Sequence, residues 1–295
     1  MSITKRLLSD KTAVICILII LVIILAGAFA SYIAPNDPLA TDMSQRYASP
    51  SMEYPLGNDH LGRCVLSRIL FGIKSSVFYV LFVMAVTLFI GMVIGMTAGF
   101  AGGRLDEFLM RFCDLMQSFP SEVVGLAFVG IFGISLRNLL IACILTRWVW
   151  FAKLIRASVR QYRERNYVYY AKAIGSSNTR IILKHMMPSV MADIMIYVSN
   201  NIGGLIMVLA GFSFLGLGVP APTPEWGMML NEAKDVMLAR PWLMLPPGLA
   251  IMLIVCAFSF LGDSLRDIMD PKHSTHAVKT CRKRTVYESI DSSKS

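Results

Sequence analysis

Five ionisable side chains lie inside long apolar stretches of the sequence, where a charge is costly if the stretches cross a membrane. They are Arg111, Asp114, Glu122, Arg147 and Asp193. On insertion scales a charged group at the centre of a bilayer costs about 3 kcal/mol, so such a group pairs with an opposite charge or faces water. These residues therefore predict either ion pairs between helices or contact with a polar substrate that crosses the membrane.

Different members of the set favour different interpretations. Arg111 and Asp114 are three residues apart on one helical face, which favours a local ion pair over a role in transport. Asp193 falls one turn into its apolar stretch. We expect its carboxylate to face either a neighbouring subunit or a vestibule open to the cytoplasm.

Arg147 lies well inside its stretch, beside Trp148 and Trp150. A guanidinium at that depth needs a partner or water, and a polar translocation path supplies water. We therefore predict that Arg147, Trp148, Trp150 and Asp193 line such a path.

The sequence lacks the residue sets that catalysis or nucleotide binding would require. The apolar stretches contain no G-x-S-x-G, no H-E-x-x-H and no paired aspartates at catalytic spacing. The nearest approach to a phosphate-binding loop, Gly72-Ile73-Lys74-Ser75, has no first glycine. His273 and His276 are two isolated histidines in a polar segment. We expect no catalytic residue, cofactor or metal site on this chain, and any ATP hydrolysis on another chain.

The composition indicates the class of protein that positions these residues. Of 295 residues, 55% are hydrophobic and 16% are charged, with a mean hydropathy of +0.60. Soluble domains have about 25% charged residues, so a water-soluble globule and a disordered chain are both excluded. Apolar runs close to the roughly 20 residues that cross a bilayer predict an all-α membrane protein with six transmembrane helices. The expected spans are 13–30, 76–100, 108–132, 136–155, 189–215 and 242–261.

The distribution of Lys and Arg predicts that both termini are cytoplasmic. In that orientation the interior segments hold 20 basic residues and the exterior segments hold 8. The first run is too long for a signal peptide and no small-x-small cleavage site follows it, so we expect a retained anchor. The predicted division is a cytoplasmic N-terminus (1–11), a first anchor (12–33), an extracytoplasmic loop (34–75), a five-helix core (76–271) and a disordered cytoplasmic tail (272–295).

Small residues and prolines predict details of the packing. Gly91, Gly95 and Gly99 recur at every fourth position, which allows a neighbouring helix to approach closely. Pro120 in the third span and the pair Pro246-Pro247 in the sixth lack a backbone donor. We expect them to kink or interrupt their helices.

The interior loop over 156–188, here named the basic loop, is too long for a simple connector. Its pattern is compatible with helices on both sides of Gly175, and it ends at Pro188. It predicts two short helices joined by a turn at Gly175-Ser176-Ser177.

The run over 166–175 resembles the cytoplasmic EAA loop of ABC importer permeases. Tyr169 and Tyr170 stand where that motif has its acidic residue and first alanine, and four other positions keep the pattern. The resemblance implies short helices that dock on a separate ATPase and drive alternating access. The residues that it assigns to this coupling are Tyr169, Tyr170, Ala171, Gly175, His185 and Pro188.

Further segments narrow the resemblance to the dipeptide, oligopeptide and nickel permease family. They are 56–63, 67–68, 213–218, 222–227, 262–267 and 270–271. In order and spacing they cover about residues 10–271 and resemble the second permease of such a system. This implies a heterodimer with a homologous permease, two ATPase subunits at the cytoplasmic face, an extracytoplasmic binding protein and a bacterial cell membrane.

The substrate follows less directly. The segments 147–156 and 221–227 look closer to nickel permeases than to peptide permeases, so the expected cargo is nickel or another transition metal, free or held by a chelator. A dipeptide or oligopeptide is the alternative. A stand-alone channel or secondary carrier is a second alternative, but the inverted repeats typical of carriers are not recognisable in the sequence.

Overall fold

The computed structural model of the chain describes residues 3–269, which contain helices and no β-strand. The predicted tail, with His273 and His276, lies outside the described residues. The α-helices are α1 (Ile3–Ser9), α2 (Lys11–Ala28), α3 (Ala30–Ile33), α4 (Val65–Ile73), α5 (Tyr79–Ala101), α6 (Gly103–Gln117), α7 (Ser121–Phe132), α8 (Leu136–Arg163), α9 (Asn166–Ala173), α10 (Asn178–Arg180), α11 (Met187–Phe214), α12 (Trp226–Lys234) and α13 (Leu245–Met269). Short π-helices cover Lys74–Phe78 and Ile181–Met186, and 3₁₀ turns cover Met43–Gln45 and Pro241–Met244.

Five helical segments within the described range are long and apolar enough to cross a membrane, and a bent pair of helices makes a sixth. The five are Lys11–Ala28, Val65–Ala101, Leu136–Arg163, Asp193–Phe214 and Pro241–Met269. These spans confirm the predicted all-α membrane fold. Many large apolar side chains on α2 and α5 are exposed on the outside of the bundle, as expected for helices that face lipid.

The predicted third span is the bent pair, α6 and α7, with 73° between the two helices. Pro120, in extended backbone conformation, precedes α7. Because proline lacks an N–H and restricts the residue before it, a helix cannot run straight through this position. The interruption expected at Pro120 is therefore confirmed.

Pro246 and Pro247 do not interrupt the sixth span, contrary to expectation. Both fall in the first turn of α13, where backbone N–H groups have no intrahelical acceptor and proline is tolerated. The helix continues from there to Met269.

Two helices are longer than the hydropathy of the sequence indicates. The second span begins at Val65, inside the predicted loop over 34–75, because α4 is amphipathic and buries the polar side chains of Ser67 and Arg68. The fourth span continues beyond residue 155 to Arg163, where the exposed side of α8 is basic.

Helices α5 and α8 form the closest packing in the bundle, through the predicted glycine face. A Cβ atom added at Gly95 would lie 2.5 Å from the carbonyl oxygen of Ala152, and one at Gly91 would lie 2.6 Å from Cβ of Phe151. One at Gly99 would lie 2.8 Å from Cβ of Val159. The packing role predicted for the three glycines is therefore confirmed.

The bundle has two distinct ends. The basic loop, with the last turns of α5 and α8, defines the basic-loop end. Residues 34–64 and α12 contact each other at the other end, here named the opposite end. Helix α8 reaches from one end to the other, about 42 Å at 1.5 Å per residue.

Replacing Gly95 by alanine should destabilise the bundle by about 2 kcal/mol, because the new methyl group meets the backbone of α8 and neither helix can yield. The matched control is Gly130→Ala on α7, whose added Cβ has no atom within 4 Å. Thermal unfolding of both variants in detergent measures the difference. Equal melting temperatures for the two variants would contradict the glycine contact.

Candidate functional site

The basic loop folds as two short helices around a glycine turn, as the sequence predicts. Helix α9 ends at Ala173, and Gly175 follows with a φ of +77°, a conformation that favours glycine. The Ser177 hydroxyl accepts a hydrogen bond from the backbone N–H of Arg180 and caps the second helical segment. That segment continues through Ile181–Met186 into α11, so the loop connects α8 directly to α11.

Helix α9 has a buried side and an exposed side. Val168 and Ala171 are buried, and α9 packs on the π-helix Ile181–Met186. Tyr169 and Tyr170 are 57% and 71% exposed, and Ile174 is 81% exposed. The two tyrosines that depart from the resembled motif therefore face outward.

The other predicted coupling residues fall on both sides of the turn. His185 and Pro188 are exposed, and His185 lies in the π-helix, whereas Pro188 lies in the first turn of α11. A Cβ added at Gly175 has no atom within 4 Å. The turn is thus constrained by its backbone conformation and not by crowding.

Charged side chains fix α8 to α5 and α6 at the basic-loop end. Arg156 donates to both carboxylate oxygens of Asp106, at 2.5 and 2.6 Å. Arg163 donates to the carbonyl oxygens of Gly99 and Phe100, at 3.3 and 3.2 Å, where α5 ends. The helix that leads into the basic loop is therefore held by two neighbours immediately before the loop begins.

The local pair expected between Arg111 and Asp114 is absent from the described structure. Arg111 instead lies 3.4 Å from Glu107, one turn earlier, and Asp114 lies 2.6 Å from Lys153 of α8. Spacing along one helix could not reveal this, because α8 brings a cation close to Asp114 from a distant part of the chain.

The four predicted path residues divide into two groups. Arg147 lies 3.9 Å from Glu122 of α7, and both line a small cavity between α7 and α8. Trp148 is buried and stacks on Phe112 of α6, with 6.2 Å between ring centroids. Arg147 and Trp148 therefore face the bent pair α6–α7.

Trp150 and Asp193 belong to the second group. Trp150 packs edge-on against Tyr197 of α11 at 5.8 Å, and the Tyr162 hydroxyl donates to Asp193 at 3.2 Å. Tyr162, Asp193 and Tyr197 line a polar cavity of about 590 Å³ together with Arg266 of α13. This cavity lies at the basic-loop end of α8, α11 and α13.

A buried cluster of four charges occupies the opposite end, and we name it the four-charge cluster. Arg63 contacts Asp59 at 2.7 Å and Glu232 at 2.9 Å. Arg68 contacts Asp59 at 2.5 Å and Glu232 at 2.8 Å. Both arginine side chains are 1% exposed. The cluster has no net charge and joins the loop before α4 to α12.

Hydrogen bonds and two arginines oppose the effect of burial on the pKa of Asp59. Burial raises the pKa of Asp59, but the guanidinium groups of Arg68 and Arg63 lower it more, so the pKa lies below its ordinary value. The carboxylate also accepts from the backbone N–H groups of Leu61 and Arg63. Asp59 therefore stays ionised and holds both arginines.

Glu225 joins α12 to the second span. Its carboxylate caps α12 by accepting from the N–H groups of Gly227 and Met228, and it also accepts from the Ser76 hydroxyl. The residue is fully buried, and burial raises its pKa despite these hydrogen bonds. The indole N–H of Trp226 donates to the carbonyl oxygen of Ile69. Helix α12 is thus fixed to the helix Val65–Ala101 at two points.

Sequence reasoning missed both of these arrangements. Arg63 and Arg68 appeared only as exterior basic residues, because Asp59 and Arg63 lie in a turn, where the four-residue spacing rule for helices predicts no pair. Nothing in the sequence connects them to Glu232, 169 residues after Arg63.

Asp59, His60 and Glu232 place three possible metal ligands within 4.8 Å of one another. Two guanidinium groups already contact one carboxylate oxygen of Asp59 and one of Glu232, and they neutralise both charges. A divalent cation bound here would lie beside two buried guanidinium groups, so this group of residues does not fit a metal.

Comparison with protein families gives two matches. The model described as "Binding-protein-dependent transport system inner membrane component" matches residues 91–275. The model described as "N-terminal TM domain of oligopeptide transport permease C" matches residues 2–50. The first match covers more than half of the chain.

Several characterised proteins are similar along nearly their whole length. The chain is 45% identical to the metal-staphylopine import system permease protein CntC of Staphylococcus aureus, over 98% of this chain and 100% of that protein. It is 37% identical to the nickel transport system permease protein NikC of Escherichia coli, over 90% and 96%. It is 37% identical to the dipeptide transport system permease protein DppC of Alkalihalophilus pseudofirmus, over 91% and 88%.

Among solved structures, the fold is similar to inward-facing conformations of the MetNI methionine ABC transporter. The TM-score is 0.50 at 15% identity, over 70% of this chain and 97% of the solved chain. At this identity the likeness concerns the fold alone.

Replacing Glu232 by glutamine should destabilise the protein by about 3 kcal/mol, because two buried arginines lose one of their two counter-charges. The control Glu107→Gln removes a partner of Arg111 that is 67% exposed, and should cost less than about 1 kcal/mol. Unfolding of both variants in detergent tests the difference. A similar loss of stability in both variants would rule out a large contribution of the four-charge cluster to the stability of the protein.

Proposed function

Because the chain belongs to the family of binding-protein-dependent transport system inner membrane components, we propose that it imports a transition metal, free or bound to a small organic chelator. The chain is a multi-pass permease of an ABC importer in a bacterial membrane. The observation that carries the metal assignment is 45% identity over 98% of the chain to a metal-staphylopine import permease. The nickel permease, at 37%, supports the same class of cargo.

The alternative cargo is a dipeptide or oligopeptide. The dipeptide permease is as similar as the nickel permease, at 37% identity, and the match over residues 2–50 carries the name of an oligopeptide permease. A stand-alone channel or secondary carrier has less support, since permeases of this family work with an ATPase and a substrate-binding protein.

The proposed assembly contains this chain, a homologous second permease, two ATPase subunits and an extracytoplasmic binding protein. ATP hydrolysis takes place on the ATPase subunits, and this chain carries no catalytic group or cofactor. Both termini lie in the cytoplasm. The excess of basic residues on the segments of the basic-loop end supports this orientation, since Lys and Arg favour the cytoplasmic side.

In this proposal the basic loop receives the movement of the ATPase. Tyr169, Tyr170, Ala171, Gly175, His185 and Pro188 form the coupling segment. The contacts of Arg156 with Asp106 and of Arg163 with α5 support transmission of the movement, because they hold α8 and its neighbours together. Since α8 crosses the whole bundle, a tilt at the basic loop reaches the opposite end as a rigid-body rotation.

The substrate path runs past Trp150 and Asp193, the second group of predicted path residues. Asp193 lines the polar cavity between α8, α11 and α13, and Trp150 packs against Tyr197, which lines it too. A cargo that carries charge can exchange water for the carboxylate and hydroxyl groups there. Arg147 lies nearer the opposite end and shares its cavity with Glu122. Trp148 supports α6 through its stacking contact, and its place in the path stays a prediction.

The cargo can be assigned by uptake in cells with the gene intact or deleted. Labelled nickel, with and without a small chelator, is compared with a labelled dipeptide. We expect deletion to abolish accumulation of the metal and leave the dipeptide unchanged, and a requirement for chelator identifies a complex as the cargo. Loss of dipeptide uptake with unchanged metal uptake would assign the chain to the peptide branch.

The coupling role can be tested at Gly175. A valine there is strained because of the positive φ, and we expect uptake to fall about tenfold or more, which corresponds to about 1.4 kcal/mol of strain transmitted to the loop. Gly133→Val is the matched control, since Gly133 has a φ of +90°, equally open surroundings and a position far from the basic loop. Membrane content of each variant is measured by quantitative blotting. Equal loss of uptake in both variants would speak against a specific role of the loop.

A further inference from the structure

Helix α9 presents an aromatic surface that the packing of the bundle leaves unused. Tyr167, Tyr169 and Tyr170 are 39%, 57% and 71% exposed on a helix of eight residues, and Ile174 beside them is 81% exposed. The buried residues Val168 and Ala171 are sufficient to attach α9 to the rest of the chain. Tyrosine is enriched where proteins bind one another, because it supplies a large apolar ring and a hydroxyl at low entropic cost.

The charges around this surface are mostly positive. Arg160, Arg165, Arg180 and Lys184 are exposed, and none forms an ion pair with a carboxylate of residues 3–269. Glu164 is the one acidic residue between 157 and 192. A protein surface that docks here therefore needs acidic groups around an apolar slot, because potentials across an interface are complementary.

The position of α9 favours a protein partner over lipid. Helix α8 continues eight residues past the predicted end of its apolar stretch at residue 155, which adds about 12 Å at 1.5 Å per residue. The headgroup layer on each side of a bilayer is about 5–8 Å thick. Helix α9 follows α8, so its tyrosines lie beyond the headgroups.

We infer that the exposed tyrosines of α9 (Tyr167, Tyr169 and Tyr170), which are spread around the outer half of the helix, dock into an acidic, aromatic-accepting groove on the partner ATPase, and that this pairing selects the ATPase. The inference rests on the proposed coupling role of the basic loop and adds the chemistry of its partner. A groove lined by basic side chains, which would suit an acidic residue at position 169, does not fit a surface with four cations that have no ion pair among residues 3–269.

The test measures the affinity of the full chain, in nanodiscs with its second permease, for the ATPase subunit whose co-expression restores metal uptake. Tyr170→Ala and Tyr169→Ala should each weaken binding about tenfold or more, and Tyr170→Phe should retain most of it. Tyr169→Glu should weaken binding more than Tyr169→Ala, because it adds a carboxylate facing acidic groups. Raising the salt concentration should weaken wild-type binding.

Tyr32→Ala is the matched control, since Tyr32 is 88% exposed and follows α2, far in sequence from the basic loop. Unchanged affinity in both tyrosine-to-alanine variants, or tighter binding of Tyr169→Glu, would overturn the inference. Failure of the wild-type chain to bind the ATPase would instead count against the proposed function. Hydrogen exchange over residues 166–174 tests whether α9 binds lipid instead. If anionic nanodiscs protect this segment and adding the ATPase changes nothing, the inference is overturned in favour of lipid.

Discussion

The close contact of α5 with α8 is the interaction on which the rest of the structure depends. Three glycines leave one strip of α5 without side chains, so that α8 approaches to backbone contact over about two turns. In lipid, helices gain no hydrophobic free energy by associating. The close fit of α5 and α8 stabilises the pair through dispersion contacts instead. Because α8 is fixed along its length, its last turn, the basic loop and α9 have a defined starting point.

Polar contacts then set the register of the neighbouring elements. At the basic-loop end, Arg156 and Lys153 of α8 reach the two carboxylates Asp106 and Asp114 of α6, which lie about two turns apart. This spacing fits only one placement of α6 along α8. At the opposite end, Glu225 begins α12 and accepts from Ser76 as well, so a single carboxylate sets both the start of the helix and its place against the second span.

The sequence predicts the features that depend on local chemistry. Hydropathy gave the spans, Pro120 marked the break between α6 and α7, Gly175 marked the turn, and the glycine face marked a packing surface. It failed where a partner comes from far along the chain. Asp114 pairs with Lys153 and not with its neighbour on the helix, and Glu232 meets arginines that are more than 160 residues earlier. Periodicity carries no information on such contacts, because they arise from the packing of whole helices.

The two ends of the bundle differ in how costly they are to rearrange. At the opposite end, Arg63 and Arg68 are buried with their carboxylates, and separating such charges costs about 3–5 kcal/mol. At the basic-loop end, Asp114 and Lys153 are 62% and 32% exposed, and an exposed pair contributes about 1 kcal/mol or less. The Arg156–Asp106 pair at the same end is more buried, at 26% and 11% exposed, so the Asp114–Lys153 pair is the cheaper of the two to separate. The exposed Asp114–Lys153 contact at the basic-loop end is therefore the one best able to exchange its partners, while the four-charge cluster holds α12 rigidly to the loop before α4.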